Sequence, residues 1–171
     1  MIPLNDPRWQ SYVGGYQVAF DASMPLMTLL SGEDAADAIE VLKNELCHQG
    51  TLGSASYAAV PWLVEYQRRC PDLDAEVVGL VLAVEFARPF NRLEMPEELQ
   101  LGYQSAIRDL PEIVLSKRNG PWDDGQVLVG AACLALGQSN RWFARTYFEL
   151  DRAMLDHIIE REFGTSEWNW P

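Results

Sequence analysis

Apolar residues along this chain fall into blocks with helical spacing, separated by short clusters of Pro, Gly, Ser and Asp. Ala35, Ile39, Leu42 and Leu46 recur at i, i+4, i+7 and i+11, one stripe of an amphipathic helix, while Asp34, Asp37, Glu40 and Asn44 lie largely off it. Two later stretches, Val77 to Phe86 and Val127 to Leu136, are apolar on almost every side, the pattern of a helix packed between neighbours. At about ten residues each they are too short to cross a bilayer. Phe143, Tyr147, Leu150, Met154 and Ile158 predict one long single-stripe helix over 140–163 that caps the fold and ends near Gly164. No stretch alternates with period two long enough to predict a strand, and none reads as a linker between domains. The pattern predicts one all-α domain over residues 1–171.

The blocks also repeat. A shift of 50 positions places Pro61, Val64, Arg68, Pro71, Asp74 and Val77 on Pro111, Val114, Arg118, Pro121, Asp124 and Val127 without a gap. Six identities over about 32 positions compare with roughly two expected from average composition. In each copy an apolar helix with an internal Pro leads to a Pro-containing turn, an Asp and a nearly continuous apolar stretch. Pro71 and Pro121 break the chain between helices, and Asp74 and Asp124 are placed to accept from free amides at the next helix start. A third, weaker copy begins at MPLMTLLSGEDAADAIEVLKNEL, where Pro25 opens a helix, Ser31-Gly32 ends it and Asp34 caps the next. Pro96, Glu97 and Glu98 start a segment that lengthens the first helix of the last copy. Helix pairs are therefore expected over about 23–48, 55–88 and 96–138.

The residues Pro111, Asp124, Val127, Ala131, Ala132, Ala135, Leu136 and Gly137 carry a pattern that resembles HEAT repeats. The segment LCHQGTLGSASYAAVPWLVE, Leu46 to Glu65, looks like a stretch found in small bacterial HEAT-like proteins, several encoded beside toxins and regarded as immunity proteins. The resemblance covers about residues 23–138. It implies an α-α superhelix of helix pairs and a protein-binding module that neutralises a cognate toxin by occluding it. The alternative role it implies is a scaffold or adaptor regulating an endogenous protein. By analogy the second helices, over 34–47, 74–88 and 124–138, line a concave side.

Composition narrows the partner. Asp plus Glu number 25 against 13 Lys plus Arg, a formal charge of −12, which opposes nucleic acid and anionic membrane and favours a basic protein such as a toxin domain. HEAT-like stacks also serve base-excision enzymes, but those need a basic groove for the duplex. The N-terminus shows no basic segment leading into an apolar run, so a cytoplasmic location is expected. Cys47, Cys70 and Cys133 lack metal or redox spacing and read as reduced thiols. Nothing in the pattern sets an oligomeric state.

Catalytic constellations are not predicted. Cys47 and His48 are adjacent, so on a helix they would not face one another, and Gly50 reads as a left-handed stop. His157 has no metal-ligand spacing around it, and no cofactor or metal is expected. The pairs Asp123-Asp124 and Glu97-Glu98 sit where helices begin, and capping explains them. The expected binding surface is a negative strip of Asp34, Asp37, Glu40, Asp74, Glu76, Asp123 and Asp124 along one edge of the stack. Trp122 is its expected anchor, with Trp168 and Trp170 as further candidates; Trp9 and Trp62 are expected in the core. On this reading, changing Asp37, Asp74 and Asp124 to Lys removes association and leaves helicity intact.

Overall fold

Local turn chemistry sets where each helix begins and ends. Asp74 has extended backbone, and its carboxylate accepts from the amides of Glu76 (3.1 Å) and Val77 (3.0 Å), as expected of a cap. In the matching turn the cap is Asp123. It accepts from the Gln126 amide at 2.8 Å, and the Gln126 side chain accepts from the Asp123 amide at 3.0 Å. The expectation for Asp124 is thus corrected by one position: Asp124 is already the first helical residue. Asp34 is corrected as well. Its backbone is left-handed (φ 51°), not the extended form that brings a capping side chain over the first turn, and it makes no such bond.

The structure, a computed structural model, describes residues 1–118 and 120–150, with Ala153, Met154, His157, Ile158 and Arg161 beyond them. Among these residues are α1 (Ser23–Ser31), α2 (Ala35–Leu46), α3 (Ser54–Arg69), α4 (Ala75–Ala87), α5 (Glu97–Ser116), α6 (Asp124–Gly137) and α7 (Arg141–Glu149). The fold is mostly helical, and no described helix is long and apolar enough to cross a membrane. Helices α1 and α2, α3 and α4, and α5 and α6 pack as hairpins. Between hairpins, α1 meets α3 and α3 meets α5 in one layer, while α2 meets α4 and α4 meets α6 in the other. The core between the layers is dense in aliphatic residues, with Tyr57 and Tyr103 crossing edge to face at 5.7 Å.

Side chains also tie one turn to the next. Lys117 Nζ, just past α5, donates to the carbonyls of Arg68 (3.0 Å) and Cys70 (2.5 Å) at the end of α3. Gln126 Nε2 donates to the Leu73 carbonyl at 2.7 Å. Leu73 and Gln126 stand at the starts of α4 and α6, so these two starts lie side by side.

Two features depart from the sequence expectation. Cys47–His48 (β1) pairs antiparallel with Thr51–Leu52 (β2), Cys47 opposite Leu52 and His48 opposite Thr51. Gln49 (φ 49°) and Gly50 (φ 79°) form a two-residue turn, left-handed at both positions as the twist of a tight hairpin requires. Gly50 is therefore left-handed as expected, but in a hairpin. The second departure is the C-terminal helix. Its expected span of 140–163 is interrupted, because α7 ends at Glu149 and Leu150 is extended (φ −75°, ψ 138°). Most of 151–163 and all of 164–171, including Trp168 and Trp170, lie outside the described residues.

Residues 1–22 brace the stack. Trp9 is buried and donates to the Pro3 carbonyl at 2.9 Å, and half-buried Trp62 of α3 donates to the Ile2 carbonyl at 2.8 Å. Val13 then meets the start of α3: its amide donates to Ser54 Oγ (2.9 Å) and its carbonyl accepts from the Ala55 amide (2.9 Å). Gly53 makes this approach possible, since a β-carbon there would collide with the carbonyls of Val13 and Gly14. Gly53→Ala should destabilise the fold by about 3 kcal/mol. Gly79→Ala, where a β-carbon meets nothing within 4 Å, should stabilise it by up to about 1 kcal/mol. Urea unfolding of the two variants checks this contrast.

Candidate functional site

The expected acidic strip is only partly assembled. The starts of α4 and α6 are adjacent, so Asp74, Glu76, Asp123 and Asp124 share an edge, as expected. Lys43 of α2 reaches both Glu40 (2.7 Å) and Glu76 (3.6 Å), joining two members through a cation that offsets their charge. This contact also shows the register of α2 against α4. The later half of α2 faces the first turn of α4, which leaves Asp34 roughly 13 Å up the helix axis from Lys43. Asp34 and Asp37 are exposed; Asp37 lies one turn before Glu40 on α2, and Asp34 stands one turn further from the shared edge. Asp74 is a structural cap that also accepts from Tyr66 Oη at 3.3 Å, so Asp74→Lys would cost stability as well as charge.

Trp122, the expected anchor, sits in the turn before α6. It is half-buried, donates to the Lys117 carbonyl at 3.3 Å and sets the Cε3–Cζ3–Cη2 side of its ring close against Gly130 of α6, where any β-carbon would strike it. Part of the ring is thus used to seat the turn. Cys47 and His48 are neighbours on a strand and point to opposite sides. His48 stacks on Tyr16 with 3.9 Å between ring centroids, whereas Cys47 lines a cleft on the other side. Burial pushes the Cys47 thiol up, opposed in part by the Gly50 amide, so no activated thiolate sits there. No cluster of metal-ligating side chains occurs among the described residues.

The sequence pattern passed over Glu85, a lone acid in the apolar run of α4. Its carboxylate is 1% exposed and is surrounded by donors. Arg88 reaches it with two nitrogens (both 3.0 Å), Arg141 of α7 binds Oε1 at 2.5 Å and Tyr103 Oη of α5 donates at 2.8 Å. Burial raises the carboxyl pKa, but the bonds from Arg88, Tyr103 and Arg141 outweigh it and hold Glu85 below the ordinary value. Burial and the facing carboxylate push Tyr103 far up, so its hydroxyl stays a donor.

Glu85 fixes α7 against α4, and the attachment creates two surfaces. On the inner side Ala144 and Phe148 pack down, Phe148 meeting Phe86 at 5.4 Å between ring centroids. Between α7, the β1–β2 turn and residues 88–93 lies an open cleft of about 900 Å³. On the outer side Trp142 is 70% exposed, Phe143 46% and Tyr147 36%. Trp142 and Phe143 meet edge to face at 5.0 Å, and Phe143 and Tyr147 stack at 6.3 Å. The predicted core stripe through Phe143 and Tyr147 is therefore the solvent face of α7. Compared with family models, curated proteins and solved structures, the chain matches none.

The Glu85 node predicts a pH dependence. A carboxyl held below its ordinary value of 4.5 contributes stability that is complete above that value and is lost as pH falls through the lower folded value. Glu85→Gln should destabilise the protein by about 2–3 kcal/mol at pH 7. The gap to the unaltered protein should narrow progressively below about pH 4.5. Urea unfolding of both proteins across this range checks the sign.

Proposed function

We propose that this chain is a protein-binding module of HEAT-like helix pairs, acting in the cytoplasm as an immunity or antitoxin-like protein that covers a cognate bacterial toxin. The paired packing of α1 to α6 in two layers supports the repeat reading. The observation that carries the binding role is the outer face of α7, where three neighbouring aromatic rings stand in solvent. Exposed Trp and Tyr in a cluster supply large, rigid contact area and are the residues on which interface energies concentrate. The formal charge of −12 supports a basic partner, drawn in at long range and then held on the rings.

The interface proposed is thus the aromatic face of α7, with exposed acids such as Asp37 steering the encounter. Trp142→Ala combined with Tyr147→Ala should weaken binding to the product of the adjacent gene by about a hundredfold, roughly 2.8 kcal/mol. Helicity should be unchanged, because both side chains are exposed. Calorimetric titration and circular dichroism read the two effects. An adjacent gene product that is neither bound nor neutralised on co-expression would reject the immunity role. A complex indifferent to both substitutions would reject the placement on α7.

A further inference from the structure

The cleft inside α7 differs chemically from the rest of the surface. Its apolar wall is built from Phe86, Phe90, Leu93 and Phe148. Three charged side chains line it: Arg92, Arg145 and Glu149. Arg145 is occupied, since it bonds to Glu149 at 3.0 Å and its guanidinium lies 5.3 Å from the centre of the Phe90 ring. Arg92 is exposed and makes no hydrogen bond or ion pair among the described residues. The side-chain amide of Gln49, across the cleft on the β1–β2 turn, also has no hydrogen-bond partner among them.

An apolar wall with one unpaired guanidinium at its rim selects an anion, the opposite of what a chain of charge −12 attracts elsewhere. A guanidinium also matches a carboxylate in shape, offering two parallel donors to its two oxygens. The cleft volume of about 900 Å³ falls in the range of small-molecule sites. We propose that this cleft binds a small amphipathic carboxylate, its apolar body against Phe86 and Phe148 and its head on Arg92. The proposal does not depend on the partner-binding role of the outer face.

Cys47 lines the cleft and reports on its occupancy. Cys70 serves as the internal reference, because it lies at the far end of α3 near Lys117 and Tyr66. The probes are decanoate and decyltrimethylammonium, which share a ten-carbon tail and differ in head charge, titrated into the full chain by calorimetry at low salt. Alkylation of the two thiols by iodoacetamide is followed in parallel by mass spectrometry.

Decanoate should saturate at one equivalent and slow alkylation of Cys47 in proportion to occupancy, leaving Cys70 unaffected. Decyltrimethylammonium should bind about tenfold or more weakly, and Arg92→Glu should raise the decanoate Kd by about tenfold or more. Arg92 is exposed and unbonded, so this variant keeps the fold. Equal binding of the two heads, an unchanged Kd in Arg92→Glu, or decanoate bound without protection of Cys47 would each overturn the proposal.

Discussion

A single buried carboxylate sets the arrangement of the C-terminal half. Taking Glu85 out of water is unfavourable unless its oxygens are fully engaged, and the partners that engage them come from separate parts of the chain. Tyr103 belongs to α5, Arg88 to the end of α4 and Arg141 to the first turn of α7. Meeting the needs of one side chain therefore places three helices at once. Arg141 is also what draws α7 toward α4, leaving one face of that helix on Phe86 and the other in solvent. Both the aromatic surface and the cleft follow from that geometry.

The helix pairs were legible in the sequence because their determinants are local. Pro71, Asp74 and Pro121 act within a few residues of themselves, and the 50-residue self-match repeated them in order. Asp123 and Asp124 could not be separated by pattern, since either acid suits a helix start and only the backbone angles decide. The β1–β2 hairpin was not legible, as strands of two residues carry no periodicity to detect. Its one local signal is Gly50, whose left-handed backbone suits a helix stop and a tight hairpin turn equally well.

The surfaces were less legible than the fold. Phe143 and Tyr147 make a convincing apolar stripe, yet Ala144 and Phe148 are the positions turned inward, because Arg141 at the head of α7 fixes its rotation. A stripe shows that two faces differ in hydrophobicity; it does not show which face a distant salt bridge will select. Glu85 was visible as a lone charge among apolar residues, and a buried charge demands partners. Arg88 is a local partner at i+3, but Tyr103 and Arg141 lie 18 and 56 residues away, beyond any local pattern. Position along the chain does not show which acids of the expected strip are already engaged. Asp74 and Asp123 proved to be helix caps, and Lys43 offsets Glu40 and Glu76.

The cross-ties made by Lys117 and Gln126 bear on how the protein comes apart. In an array held only by packing between neighbouring units, an end unit can fray while the rest persists. Here the last pair reaches back with side chains to main-chain carbonyls of the pair before it, so releasing the last pair strips hydrogen bonds from its neighbour. Melting of these two pairs is expected to occur as one cooperative event, and a protein cut between them would lose both halves rather than retain one.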